Sequence, residues 1–351
     1  MKLKKLWRTG CWIAWNADCA VMSVLPKSKS AIFLKNQKQN IIMSRQLRQV
    51  KTEDRGIDMG YEVINNNCLN IFENRSITEK IDLTFLDPPF NQQKDYAYHN
   101  DDMTETDYWD MMLKVCKSLY KLTNKGGTVY FMQREKNTEF VLKCLREAGW
   151  TFQNLIIWKK KTSAVPVAGK YGKHYQVIAY ATKGERAKIF HRLRIDPPLP
   201  PNYKFQRENG VFVTDVWDDI REMTSGYFAG NEAIRIENGE RFHKQQTPLA
   251  LLIRIILSSS NVGDRIFDPF AGTGTTLCVA LQLQRNSIGI EIDPINADMI
   301  RKRLSAIREP DLIQKYYKDY LHTENLPEIW GDELESYFPV NINSDLMLFE
   351  N

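Results

Sequence analysis

Short apolar runs rich in β-branched and aromatic residues recur along the chain and are typical of buried strands. They occupy positions 81–86, 126–131, 155–160, 177–183, 265–268 and 287–293. After the first run, Trp109, Met112, Cys116 and Leu119 recur at helical spacing. Strands that alternate with helices in this way predict an α/β fold with a mostly parallel sheet.

The first run ends at the tetrapeptide Asp87-Pro88-Pro89-Phe90. Prolines cannot extend a strand ladder, and ligands of open α/β sheets bind beyond the carboxyl ends of the strands. The tetrapeptide is therefore predicted to lie in a binding site. The competing interpretation is an ordinary strand followed by a proline turn.

The chemistry of the tetrapeptide suits one kind of reaction. The Asp87 carboxylate and the Pro88 carbonyl are two acceptors that match the two hydrogens of an exocyclic amine on a nucleobase. Drawing both hydrogens toward acceptors frees the nitrogen lone pair to attack an electrophilic methyl group. Phe90 offers a flat face to a base swung out of its stack.

A glycine loop at 270–276 supplies a second signal. It follows the run at 265–268 and leads into a helix and a strand that ends near Glu291 and Asp293. Thr275 stands where a nucleoside-triphosphate loop has Lys, and Leu277 stands where the dinucleotide fingerprint has a third small residue. The loop therefore favours an adenosine ligand without phosphates, and S-adenosylmethionine is the methyl donor that the chemistry at Asp87 requires.

These motifs resemble those of the amino-methylating DNA methyltransferases, whose signatures are an Asp-Pro-Pro-Tyr-like tetrapeptide and a Phe-x-Gly-x-Gly loop. The tetrapeptide precedes the loop here, an order similar to that of the circularly permuted β-class. His243, Gln246 and Pro248 match a family stretch that precedes the cofactor loop, whereas Lys244 and Thr247 depart from it.

The resemblance implies a fold, a reaction and site residues. The fold is a seven-stranded, mostly parallel, Rossmann-like sheet with helices on both faces and an inserted target-recognition segment. The reaction is methyl transfer from S-adenosylmethionine to N6 of a flipped adenine in duplex DNA, because an acidic first residue in the tetrapeptide leans toward adenine; N4 of cytosine stays open.

The implied catalytic residues are Asp87, Pro88, Pro89 and Phe90. The implied cofactor-binding residues are Gln246, Thr247, Asp268, Pro269, Phe270, Ala271, Gly272, Thr273, Gly274, Thr275, Thr276, Glu291 and Asp293. Among them, Glu291 would hold the ribose. No metal is expected, because a sulfonium donor carries its own positively charged leaving group.

Proline and glycine interrupt the periodic pattern between residues 183 and 239, which is typical of long loops. Loops on a rigid scaffold are where base-edge contacts are expected. The candidate DNA contacts are Lys159, Lys160, Arg192, Arg194, Arg207, Arg221 and Arg235.

The chain is expected to consist of five parts. They are a basic extension at 1–58, for which disorder is one interpretation, a catalytic part at 59–183, a recognition insert at 184–240, a cofactor-binding part at 241–310 and a C-terminal extension at 311–351.

The distribution of charge and the cysteine content indicate the kind of partner and the compartment to expect. The 351 residues have a formal net charge of +5, yet residues 158–207 hold 12 Lys or Arg against 2 acids, and residues 1–51 hold 11 against 1. Such basic segments are expected where a polyanion is held by its backbone, which favours double-stranded DNA. The six cysteines contain no Cys-x-x-Cys pair, so neither zinc nor a disulfide framework is indicated, and a cytoplasmic protein is expected.

Further expectations concern assembly and alternative functions. No membrane partner is expected, because Asn16 and Asp18 interrupt the apolar N-terminal run. A cognate restriction endonuclease is one candidate partner, and the oligomeric state is left open between monomer and homodimer.

Two alternative functions come from other classes. An NAD-dependent oxidoreductase would explain positions 267–293 but not the tetrapeptide, and a non-catalytic DNA-binding protein would explain the basic segments alone. RNA is a further alternative substrate, which the motif order disfavours.

Overall fold

The computed structural model describes residues 60–331 apart from 75–76, 93–94, 97–98, 163–164, 167, 197–207, 224–229, 237 and 244. The expected basic extension at 1–58, the end of the expected C-terminal extension at 332–351 and the candidate DNA contact Arg207 lie outside the described residues.

The strands and helices are numbered in chain order. The strands are β1 Tyr61–Asn65, β2 Ile81–Leu86, β3 Asp95–Tyr96, β4 His99–Asn100, β5 Thr123–Arg134, β6 Thr151–Lys159, β7 Tyr175–Thr182, β8 Arg194–Ile195, β9 Val211–Phe212, β10 Val216–Trp217, β11 Arg265–Asp268 and β12 Asn286–Glu291. The α-helices are α1 Cys68–Glu73, α2 Glu105–Leu122, α3 Thr138–Glu147, α4 Leu249–Ser259, α5 Thr275–Gln282, α6 Pro294–Ser305 and α7 Leu326–Trp330. Short 3-10 helices cover Glu135–Asn137, Glu309–Asp311 and Gln314–Tyr320.

Eight strands form one sheet in the order β1-β12-β11-β2-β5-β7-β6-β10. All neighbouring strands are parallel except β7, which runs antiparallel to both β5 and β6. The predicted α/β class with a mostly parallel sheet is confirmed. The strand beyond the expected seven is β10, in which Val216 and Trp217 of the expected insert pair with Ile157 and Trp158 at the outer edge of β6.

Helices cover both faces of the sheet, because alternate strand residues point to opposite sides. On β5, Tyr130 and Met132 belong to a core that includes α4 and α5, whereas Val129 and Phe131 belong to a second core that includes α2 and α3. The four apolar residues that predicted α2 are all buried in this second core.

The region after α6 packs into the first core. Tyr320 of a 3-10 helix and Leu326, Ile329 and Trp330 of α7 are buried there. The described part of the expected C-terminal extension therefore contributes to the core. None of the helices among the described residues combines the length and apolar character that crossing a bilayer requires.

Candidate active site

Three neighbouring strands end side by side and set the position of the site. Strand β11 lies between β2 and β12, and Phe267 pairs with Thr84 on one side and with Ile288 on the other. Because the three strands are parallel, the segments that follow them emerge at the same edge of the sheet. The tetrapeptide after β2, the glycine loop after β11 and Glu291 at the end of β12 therefore meet, although the chain separates them widely.

One cavity of about 1100 Å³ opens at this edge. Pockets for a single small ligand have volumes of roughly 300–1,000 Å³. The cavity is lined by all four predicted catalytic residues and by every predicted cofactor-binding residue except Gly274. The two predicted halves of the site thus share one space that is large enough for a donor and a base.

Hydrogen bonds hold the tetrapeptide and the turn after it. The Tyr108 hydroxyl donates to the Pro89 carbonyl at 2.7 Å and accepts from Gln133 Nε2 at 2.9 Å. Burial raises the pKa of Tyr108, which keeps its hydroxyl protonated as a donor. The backbone N–H groups of Asn91 and Gln92 donate to the buried Asp101 carboxylate at 2.8 and 2.9 Å.

Asp87 also has a partner in a distant part of the chain. The hydroxyl of Thr247 donates to Asp87 Oδ2 at 3.2 Å, across 160 positions of sequence. Thr247 lies between Gln246 and Pro248, immediately before α4. The segment before α4, at the start of the expected cofactor-binding part, therefore contacts the head of the tetrapeptide directly.

The glycine loop is braced from within by Asp268. Its carboxylate accepts from the Phe270 N–H at 3.0 Å and from the Thr276 hydroxyl at 2.5 Å. Complete burial raises the pKa of Asp268 to about 7. Gly272 and Gly274 adopt φ values of +53° and +70°, in the left-handed region that favours glycine. Asp268 therefore fixes the shape of the loop in addition to lining the cavity.

Glu291 connects the glycine loop to the next strand. Its Oε2 accepts from the Gly272 N–H at 2.8 Å, and its Oε1 accepts from the Asp293 N–H at 2.9 Å. Burial raises the pKa of Glu291 above its ordinary value. Its carboxylate sits in the cavity wall beside the glycine loop, where ribose hydroxyls of an adenosine ligand are expected.

A buried ion-pair cluster behind the loop was not visible in the sequence. Arg303 of α6 donates through Nη1 to the Thr273 carbonyl at 2.7 Å. The same guanidinium donates through Nε and Nη2 to Asp311 at 3.1 and 2.7 Å, and Arg308 also pairs with Asp311. The cluster attaches the loop to the chain after α6. Only the helical spacing of Arg303 could have been read from sequence, and that spacing does not reveal a partner.

The candidate DNA contacts fall into three groups. Lys160 and Arg235 line the cavity. Lys159 is paired with Asp218 at 3.9 Å, and Arg221 lines a separate groove outside the cavity. Arg192 and Arg194 flank the exposed ring of Phe212, and the structure does not bring them to the cavity.

The direction of β7 explains where Arg192 and Arg194 lie. Thr182 at the end of β7 pairs with Thr128, which itself pairs with Leu83 near the start of β2. The chain therefore leaves β7 at the amino edge of the sheet, and His191 then bonds to the Ser258 carbonyl on that side. This edge is separated from Asp87 by the length of β2, roughly 20 Å.

Among the described residues of the expected insert, those that line the cavity come after β10. The Glu222 carboxylate accepts from the Lys161 and Thr162 N–H groups at 2.7 and 2.9 Å, and Arg241 donates to the Met223 carbonyl at 2.9 Å. Glu222, Met223, Arg235, Glu240, Arg241 and His243 line the cavity. The described part of the expected insert that lines the cavity therefore follows β10, a position that loop composition alone did not indicate.

Metal-ligand groups were also sought. Within the part of the chain that the structure describes, no group of three or more His, Cys, Asp or Glu residues could hold a metal ion.

Comparisons with known proteins give a consistent result. A family model for N6 and N4 methyltransferases, described as DNA methylase, matches residues 81–302. The chain is 32% identical over 246 residues to the DNA adenine methyltransferase YhdJ of Escherichia coli K12, covering 64% of this chain and 76% of that relative. It is 27% identical over 249 residues to the Type II methyltransferase M.HpaI of Haemophilus parainfluenzae, covering 71% of this chain and 75% of that relative.

A solved structure extends the comparison to the fold. The PvuII DNA methyltransferase, which is described as cytosine-N4-specific, matches with a TM-score of 0.50 and 17% sequence identity. The match covers 77% of this chain and 97% of that one. At this identity the similarity concerns the fold alone.

Proposed function

The chain belongs to the N6/N4 DNA methylase family, and from that membership we propose that it transfers a methyl group from S-adenosylmethionine to N6 of adenine in duplex DNA. The observation that carries the proposal is the shared cavity, in which the tetrapeptide at 87–90 faces the glycine loop at 270–276. The acidic residue at the head of the tetrapeptide and the adenine specificity in the name of the E. coli relative favour adenine as the target.

The loop side of the cavity fits an adenosine-containing donor. A Cβ placed on Gly272 would meet only the Phe270 carbonyl oxygen, at 3.9 Å, so this part of the loop leaves room for a ligand against its backbone. The Glu291 carboxylate supplies acceptors for ribose hydroxyls, and Phe270 and Asp293 complete this wall. When bound, the donor supplies a methyl group on a positively charged sulfur.

The tetrapeptide side fits the target amine. The Asp87 carboxylate and the Pro88 carbonyl accept the two amine hydrogens, and Phe90, which lines the cavity, stacks on the flipped base. The amine nitrogen would bond to the methyl carbon as the carbon–sulfur bond breaks, and the electron pair of that bond would stay on sulfur as a neutral thioether. The methylated nitrogen would then release one proton to the Asp87 carboxylate that accepts it. The bond that Tyr108 donates to the Pro89 carbonyl holds the tetrapeptide, and Asp101 holds the turn just after it by accepting from the Asn91 N–H.

The order of strands in the sheet distinguishes two sides of the cavity, one on either side of Asp87. Glu291 and the glycine loop follow β12 and β11 on one side of Asp87, whereas Arg134 and Lys160 lie at the ends of β5 and β6 on the other. Lys173, which pairs with Glu135 at 3.2 Å, Arg235 and Arg241 also line the cavity, beside the carboxylates of Glu222 and Glu240, so that the lining cations still outnumber the lining acids there. We assign the β5–β6 side to the DNA, because clustered cations hold the phosphate backbone.

Cytosine N4 is the alternative target, since the matched family model covers both N6 and N4 methyltransferases. The test is mass analysis of nucleosides from unmethylated DNA incubated with the full chain and S-adenosylmethionine. We expect N6-methyldeoxyadenosine. N4-methyldeoxycytidine would overturn the choice of adenine, and the absence of any methylated nucleoside would overturn the proposed reaction.

Because some relatives are Type II methyltransferases, we also propose that methylation is site-specific and that a restriction endonuclease accompanies the chain.

A further inference from the structure

The contact between Thr247 and Asp87 gives Thr247 a different role from the one that the sequence predicts. The sequence places Thr247 among the donor-binding residues, yet its hydroxyl donates to Asp87 Oδ2 at 3.2 Å. We propose that Thr247 is a positioning residue, which fixes the orientation of the catalytic carboxylate for the target amine. This inference rests on the proposed methyl transfer.

A carboxylate that grips an amine needs a defined plane. The terminal torsion of an Asp side chain is broad, so the plane is not fixed by the backbone alone. A hydroxyl that donates to one carboxylate oxygen favours one orientation of the carboxylate over the others. The Thr247 bond therefore limits the directions from which the amine hydrogens are accepted.

Thr247 can act in this way only if its own backbone is held, and the residues on both sides of it are anchored to one segment. Gln246 accepts from the Ile234 N–H at 2.9 Å and donates to the Glu232 carbonyl at 3.1 Å. The Leu249 N–H donates to the Glu232 carboxylate at 2.7 Å. The anchors flank Thr247 at positions 246 and 249.

The anchoring segment is itself tied to the region after α6. Arg308 donates to the Glu232 carbonyl at 2.8 Å, and the Tyr316 hydroxyl lies 3.4 Å from the Glu232 carboxylate. Arg308 also pairs with Asp311, which belongs to the cluster behind the glycine loop. The same framework thus supports the donor loop and the residue that orients Asp87, so their relative position is fixed by covalent and hydrogen-bonded connections within the chain.

The experiment compares Thr247→Val, which replaces the hydroxyl by a methyl of similar size, with Thr247→Ser, which keeps the hydroxyl. Methyl transfer is measured in single turnover on unmethylated DNA with saturating labelled S-adenosylmethionine, and donor and DNA affinities are measured separately at equilibrium. We expect T247V to slow transfer roughly 10- to 100-fold. We expect donor and DNA affinities to stay within about threefold and T247S to recover most of the rate.

Thr151→Val is the matched control, because Thr151 is exposed and pairs with Thr182 at the amino edge of the sheet. Its rate should equal that of the unaltered chain. An unchanged rate in T247V, a loss confined to donor affinity, or a T247S rate as low as that of T247V would each overturn the positioning role. If the unaltered chain transfers no methyl group, the proposed function fails and this inference fails with it.

Discussion

Gly274 offers a quantitative test of how the glycine loop is built. Its φ of +70° lies in the left-handed region, and a Cβ placed there would meet Ile300 Cγ2 at 2.6 Å and Cγ1 at 2.9 Å. Ile300 is completely buried on α6, so it has little freedom to move away. Gly274→Ala therefore combines backbone strain with a clash in the core.

The expected cost follows from those two terms. Left-handed backbone costs a residue with a Cβ roughly 1–2 kcal/mol, and overpacking a core costs roughly 1–3 kcal/mol. Together they lower the free energy of unfolding by about 2–5 kcal/mol, a large part of the stability of an ordinary domain. Urea unfolding followed by tryptophan fluorescence measures the change as a lower midpoint.

Gly272→Ala is the matched control. Gly272 has a φ of +53°, but a Cβ there meets no atom closer than the Phe270 carbonyl oxygen at 3.9 Å. We expect G272A to lose only the stability due to backbone strain, roughly 1–2 kcal/mol, and to weaken S-adenosylmethionine binding at least about tenfold, because the added methyl would take up space where the donor is proposed to bind. Calorimetric titration measures the donor affinity. A G274A chain as stable as the unaltered one, or a G272A chain with full donor affinity, would refute this account of the loop.

Three further predictions concern groups around the site. Burial raises the pKa of Asp268 from its ordinary 3.8 to about 7 in the folded chain, so the contribution of Asp268 to the free energy of unfolding falls as pH rises between those values. The urea midpoints of Asp268→Asn and of the unaltered chain should therefore depend differently on pH in this range. Parallel curves would contradict the raised pKa. Asp311→Ala should lower the free energy of unfolding by roughly 3–5 kcal/mol, because it leaves the Arg303 charge buried without its partner. Asp298→Ala, at an exposed ion pair on the same helix as Arg303, should change it by less than about 1 kcal/mol. Equal effects of the two substitutions would contradict a stabilising role for the buried cluster. Tyr108→Phe removes the bond to the tetrapeptide carbonyl and should lower kcat with little change in donor affinity; an unaltered kcat would show that the bond is dispensable.

The sequence predicted the parts of the site that depend on local pattern. The run before Asp87 and the glycine loop each identify a strand end, and parallel pairing brings neighbouring strand ends together. The amphipathic spacing of α2 likewise predicted the four residues that are buried in the second core. These features need no knowledge of distant contacts.

Features that depend on chain direction or distant partners could not be predicted. The reversal of β7 carries Arg192 and Arg194 to the amino edge, and apolar runs do not encode strand direction. The two-residue strand β10 is too short to show alternation. The bond from Thr247 to Asp87 joins positions 160 residues apart, and only the fold makes them neighbours.

We propose that the tetrapeptide and the glycine loop form a single site for methyl transfer to an exocyclic amine. The most direct test is Asp87→Ala, assayed for transfer of labelled methyl to unmethylated DNA and for S-adenosylmethionine affinity in the same preparation. Transfer should fall by at least about a hundredfold while donor affinity stays within about threefold. A D87A chain that methylates DNA at the rate of the unaltered protein would contradict the claim.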